Sequence, residues 1–97
     1  MDSVQKVLTS LRRRFRSTTS LANYLAQQGC KGQVASWYHD PLGQLLHKQT
    51  GLKIGVTEEK IFYGERSVKE HSIENRGVTS SFAKDFDQKR FPLLIES

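Results

Sequence analysis

The stretch DPLGQLLHKQTGLKIGVTEEKIFYG, residues 40–64, holds a helix and a hairpin in succession, and its reading sets the fold class. Asp40 is a favourable N-cap, and Pro41 falls at the first helical position, where its missing N–H costs nothing. Leu42, Leu45 and Leu46 share one face, Lys48 suits the negative end of the helix, and Gly51 closes it. Gly43 inside the helix works against it. Leu52, Ile54 and Val56 then alternate with Lys53, Gly55 and Thr57, which predicts a strand with one buried face. Glu58-Glu59 makes a polar break, although not a favoured two-residue turn, and Lys60 to Tyr63 reads as the returning strand.

Upstream, Val4, Leu8, Leu11 and Phe15 recur at helical spacing with Val7 beside them, so residues from Ser3, a possible cap, form an amphipathic helix. Hydroxyl side chains over 17–20 interrupt it and cap a second helix carrying Leu21, Tyr24 and Leu25, which Gly29 ends. Val34 to Tyr38 is expected to form a short strand bearing Trp37. Downstream, Val68 to Ile73 reads as a third strand, and Asn75-Arg76-Gly77 as a turn. Thr79 or Ser80 caps a last helix with Phe82 and Phe86, and Pro92 stops it. The expected fold is α+β: a small single domain over 1–97, with three to four helices packed on a short antiparallel sheet.

The chain has 97 residues, 36% of them hydrophobic and 26% charged, enough for a modest core. A lone cysteine, Cys30, excludes an internal disulfide. No apolar run is long enough to span a membrane, and the N-terminus lacks the continuous apolar stretch of a secretory signal. Its arginines and hydroxyl residues resemble a transit peptide in composition, but Asp2 and the apolar stripe favour a folded helix. A reducing, cytoplasmic setting is expected.

Net charge is +5 and unevenly spread. Residues 1–50 carry seven lysines and arginines against Asp2 and Asp40, whereas residues 51–97 carry eight of each sign. Four of the seven cations are Arg12, Arg13, Arg14 and Arg16. Such a cluster fits phosphate neutralisation, with nucleic acid or another anion as partner. It fits better still the solvated rim of a core helix, its arginine stems covering apolar surface. A helix lying on an anionic membrane is a third reading, against which the short Leu and Phe stripe is what any core helix shows. On the helical wheel Arg12 and Arg14 flank the apolar stripe, while Arg13 and Arg16 point away from it.

Single-stranded nucleic acid also needs aromatic platforms among cations. Phe62 faces opposite to Ile61 and Tyr63 on its strand, with Lys53 and Lys60 nearby and Trp37-Tyr38-His39 upstream. The expected nucleic-acid-binding set is therefore Lys6, Arg12, Arg13, Arg14, Arg16, Lys53, Lys60 and Phe62. The alternative is a protein-interaction subunit that dimerises or docks through Leu93, Leu94 and Ile95, an apolar run close to the end.

Catalytic and metal signals are weak. His39, His47 and His71 lack metal-ligand spacing, and no P-loop, dinucleotide turn or nucleophile elbow is present, so neither metal nor cofactor is expected. Asp40 followed by Glu58-Glu59-Lys60 echoes the acidic residues and lysine of Mg-dependent nucleases. Asp40 is already accounted for as a cap, and Glu58 falls in a turn, which makes an enzyme the third choice.

Overall fold

In the computed structural model, which describes residues 2–96, the chain begins with α1 (Ser3–Arg14). Asp2, one residue before the expected cap, accepts the Gln5 N–H at 2.8 Å, and the Tyr63 hydroxyl donates to the same carboxylate. Val4, Leu8 and Leu11 are buried as their spacing predicts. Helix α2 (Thr18–Gln27) is capped by Ser17, which accepts the Ser20 N–H, and buries Leu21, Ala22 and Leu25. Gly29 follows at φ +73°, a conformation that glycine adopts without strain.

The strand expected over Val34–Tyr38 does not form. Ala35 sits at φ +61°, which breaks any extended run, and Trp37–His39 makes a single 3₁₀ turn. The reason is tertiary. The Trp37 indole packs against the bare Cα of Gly55, where an added Cβ would lie 2.5 Å from the ring.

Helix α3 (Pro41–Thr50) follows its sequence signals closely: Asp40 caps it, Pro41 opens it, and Gly51 closes it at φ +76°. Strands β1 (Lys53–Val56), β2 (Lys60–Gly64) and β3 (His71–Glu74) form an antiparallel sheet in the order β1-β2-β3. The unfavoured Glu58-Glu59 turn is rescued by its flanks. The Thr57 N–H donates to the Lys60 carbonyl at 2.9 Å, and the Lys60 N–H donates to the Thr57 hydroxyl at 2.9 Å. Asn75 then donates its amide to the Thr57 carbonyl at 2.8 Å and accepts the Thr79 hydroxyl at 2.8 Å. That network joins the hairpin to α4 (Val78–Asp87), whose cap is Gly77 at φ +67°, not Thr79 or Ser80. The hydroxyls of Thr79 and Ser80 are engaged elsewhere, Ser80 with the Glu58 carbonyl at 2.6 Å.

Ile54, Val56, Ile61 and Tyr63 share the inner sheet face, and the Cγ2 methyls of Ile54 and Val56 lie within 3.5 Å of where a Gly43 Cβ would stand. The absence of a side chain at Gly43 thus lets α3 approach the sheet, which offsets its propensity cost. Phe82 and Phe86 complete the core from α4. Four helices packed on a three-stranded antiparallel sheet make the fold α+β. The C-terminal run returns to the body: Gly32 donates to the Leu94 carbonyl at 2.8 Å and accepts from the Glu96 N–H at 2.8 Å. Leu94 is buried and Ile95 half-buried, but Leu93 is 78% exposed, so the apolar run does not bury as a unit within this chain. Among the described residues no helix is long and apolar enough to cross a membrane.

Candidate anion-binding cleft

The arginine cluster divides. The Arg12 Nε donates to the Arg76 carbonyl at 3.0 Å and the Thr79 hydroxyl at 3.2 Å, bracing the end of α1 against the start of α4. Arg14 lies over the rings of Tyr24, at 4.7 Å, and Phe15, at 5.1 Å. Arg12 and Arg14 therefore do structural duty on the flanks of the stripe. Lys6, Arg13 and Arg16 are exposed, as is Arg14 on its aromatic neighbours. This surface does not join Lys53. Gln5, Thr9 and Arg12 line a groove with Ile73, Glu74 and Arg76, which puts α1 beside β3, at the far edge of the sheet from β1.

Lys53 and Lys60 are also apart. Lys53 pairs with Gly64, and Lys60 starts the same strand, about 13 Å away at strand rise. Lys60 stands opposite Glu74. Phe62 is on the outer face as expected, but half-buried, with its ring edge-on to Trp37 at 5.0 Å. The exposed aromatic is its neighbour Tyr38, 49% accessible and 4.0 Å from Trp37 between ring centres.

Tyr38 opens onto a cleft of about 500 Å³ at the β1 edge. Gly43, Gln44 and His47 line it from α3, and Ile54 and Val68 add apolar surface. Four cations line it: Lys31 from the segment after α2, Lys53 from β1, and Arg66 and Lys69 from the β2–β3 loop. The carboxylates in its lining are Glu96 and the buried Asp40. Among the described residues the single ion pair within 4 Å joins Arg90 to Asp85, so none of the cleft cations is neutralised by direct contact.

The cations are held by local construction. In the 65–70 loop the Glu70 carboxylate accepts the N–H groups of Arg66, at 2.6 Å, and Ser67, at 2.7 Å. Those bonds hold Glu70 below the usual carboxylate range. Gly64 is required here because a Cβ would fall 2.1 Å from the Ser67 carbonyl oxygen. Lys53 Nζ donates to the Arg66 carbonyl at 3.0 Å, tying strand to loop while keeping two N–H groups for a ligand. Lys31 is set by its backbone N–H on the Gln44 side chain at 2.9 Å. His47 directs Nδ1 to the Leu52 carbonyl at 2.7 Å; a carbonyl only accepts, so Nδ1 carries the proton. Asp40 accepts from Leu42 at 2.7 Å and Gly43 at 3.4 Å, and burial pushes its carboxyl up to about 7.

Such an arrangement attracts an anion, offers an aromatic face beside it, and supplies apolar surface. The nuclease-like residues do not assemble: Asp40 is buried at the α3 cap, and Glu58-Glu59 form the hairpin tip. Among the described residues no group of three His, Cys, Asp or Glu side chains is placed to hold a metal ion. Of the eight residues expected to contact nucleic acid, Lys53 alone lines this cleft. Lys31, Arg66 and Lys69 carried no sequence signal beyond their charge, because 35 residues separate Lys31 from Arg66 and only the fold brings them together. Compared with protein-family models, with curated proteins and with solved structures, the chain matches none.

Proposed function

We propose that this protein is a non-enzymatic binder of single-stranded nucleic acid, with the β1-edge cleft as its principal contact. The observation that carries the reading is the lining of one cleft by Lys31, Lys53, Arg66 and Lys69 beside the exposed ring of Tyr38. Cations neutralise phosphates and release counterions, and an aromatic face stacks a base without regard to its identity. Lys6, Arg13 and Arg16 add a second, diffuse positive surface. Binding is expected to be weak, sequence-tolerant and lost as salt rises. Fluorescence anisotropy with labelled DNA and RNA strands tests it. Replacing Arg66 and Lys69 by alanine together should flatten the log–log salt slope by about 1.4, given about 0.7 per phosphate on a single strand. Replacing Arg13 and Arg16 should cost less affinity. The absence of binding at low salt rejects the reading.

A second reading, self-association, rests on Leu93, 78% exposed within a tail that is otherwise anchored. Burying a leucine side chain gains about 2 kcal/mol, enough to bias a weak dimer. Sedimentation velocity at rising concentration should show a mass increase that Leu93→Ser abolishes; a constant monomer mass excludes it.

A further inference from the structure

We propose that the cleft is a site for one nucleotide unit ending in a phosphate monoester, its base against Tyr38 and its phosphate among Lys53, Arg66 and Lys69. The inference rests on the reading that the cleft takes a phosphate-bearing ligand, and it narrows that ligand. Size is the first argument. A volume of about 500 Å³, open on one side, lies in the range of sites that take one small molecule. A groove that tracks a strand strings several aromatic platforms along its length. Here, among the described residues, Tyr38 is the one Phe, Tyr or Trp that lines the cleft, with the imidazoles of His39 and His47 beside it.

Charge is the second argument. Three cations from two segments, β1 and the β2–β3 loop, line one small cavity, and the bond from Lys53 Nζ to the Arg66 carbonyl ties the Lys53 ammonium to the loop. Lys31 joins them from a third segment. A phosphodiester carries one negative charge, whereas a terminal phosphate carries nearly two and presents three acceptor oxygens. Concentrated positive charge of this kind discriminates in favour of the monoester. The third argument is rigidity. The loop backbone is pinned by two N–H bonds to Glu70, so the segment that carries Arg66 and Lys69 needs little ordering when the anion arrives. Ile54 and Val68 provide apolar surface for the sugar and base edge.

The ligand could be a free nucleotide or the phosphorylated end of a strand; the chemistry is shared, and the experiment separates the two. The full chain is titrated calorimetrically with nucleoside monophosphates, the matching nucleosides and inorganic phosphate. Short oligonucleotides with and without a terminal phosphate are then compared by anisotropy. The nucleotide is expected to bind at least about tenfold more tightly than either of its parts, as one base-stacking contact implies. Tyr38→Ala should remove most of that advantage and Tyr38→Phe should keep it; at an exposed position neither change endangers the fold. Preference for the free nucleotide or for the phosphorylated end identifies the source, and either supports the proposal. Strand binding that ignores the terminal phosphate, with no displacement by mononucleotide, overturns it and leaves the broader reading intact. Nucleotide binding no tighter than inorganic phosphate, or unaffected by Tyr38→Ala, also overturns it. Mononucleotide binding without any strand binding supports it and rejects strand binding as the function.

Discussion

Gly32→Ala is expected to lower stability by about 3 kcal/mol, at the upper end of overpacking costs, and to dismantle the cleft in doing so. An added Cβ would lie 1.9 Å from the His39 carbonyl oxygen and 2.8 Å from the Pro41 nitrogen. Both are backbone atoms, so no side chain can swing aside to relieve the clash. The His39 carbonyl is also held by the Gln33 N–H at 2.7 Å, and Gly32 itself is bonded on both sides to the C-terminal run. Relief therefore requires either the 33–39 loop to move away from the α3 cap or the Leu94 anchor to break. Each displaces Tyr38 or exposes a buried leucine. In a domain of this size such a loss corresponds to a fall in melting temperature of about 15 °C. Gly29→Ala serves as the comparison, because its site has open space and only the positive φ opposes the change. Calorimetric melts of the two variants check the expectation; equal, small shifts would show that the Gly32 contacts yield easily.

The same position explains what the sequence could and could not disclose. Helix α3 was legible because its signals are local chemistry: a cap, a proline at N1 and a glycine past the end, within twelve residues. The β1–β2 hairpin was legible from alternation, even though its turn depends on Thr57 and Asn75, which no short-range rule connects. Residues 31–39 were not legible, and they supply Lys31, Tyr38 and His39 to the cleft. Val34 to Tyr38 has the composition of a strand, yet Trp37 packs over Gly55 instead of pairing at a sheet edge. The bareness of Gly55 is visible in the sequence; its meeting with Trp37 is not. The arginine cluster was legible only in part. Its density marked it as a surface for anions, but the two members nearest the apolar stripe are bound to Arg76, Thr79, Phe15 and Tyr24. Loop residues such as Arg66 and Lys69 drew no notice, being balanced in the sequence by Glu65 and Glu70. Glu70 turns out to face the loop backbone, which leaves those cations to the cleft.

Asp40→Asn is expected to make the protein more stable than its parent above neutral pH and no more stable below about pH 4. Asp40 is 4% exposed, and its carboxyl is raised from 3.8 to about 7. Burial is the main cause, the Leu42 and Gly43 N–H groups pull the other way, and Asp87 adds repulsion. The sign follows from proton counting. Below the unfolded value of 3.8 the carboxyl is protonated in both states and nothing is lost. Between that value and about 7 the folded chain keeps a proton that the unfolded chain has released, so stability falls as pH rises. Above it both states are ionised and the full cost of a buried carboxylate is present. A shift of this size corresponds to at most about 4 kcal/mol at 1.36 kcal/mol per unit. Asparagine keeps an oxygen for the two N–H groups and is as good a cap as aspartate, but carries no charge to bury. Asp2 acts in the opposite sense. Partial burial raises its pKa, but the bonds from Tyr63 and Gln5 outweigh that and hold it below the ordinary value, so its contribution is lost as pH falls. Glu70, held low by the Arg66 and Ser67 N–H groups, does the same. Both are common to parent and variant, so the difference between the two isolates Asp40. Urea unfolding of each at pH 4.0, 6.0 and 8.0 should give a gap that opens between the first and last values in favour of the variant. Parallel stability curves across that range would mean that the α3 cap does not hold its carboxyl in the protonated form.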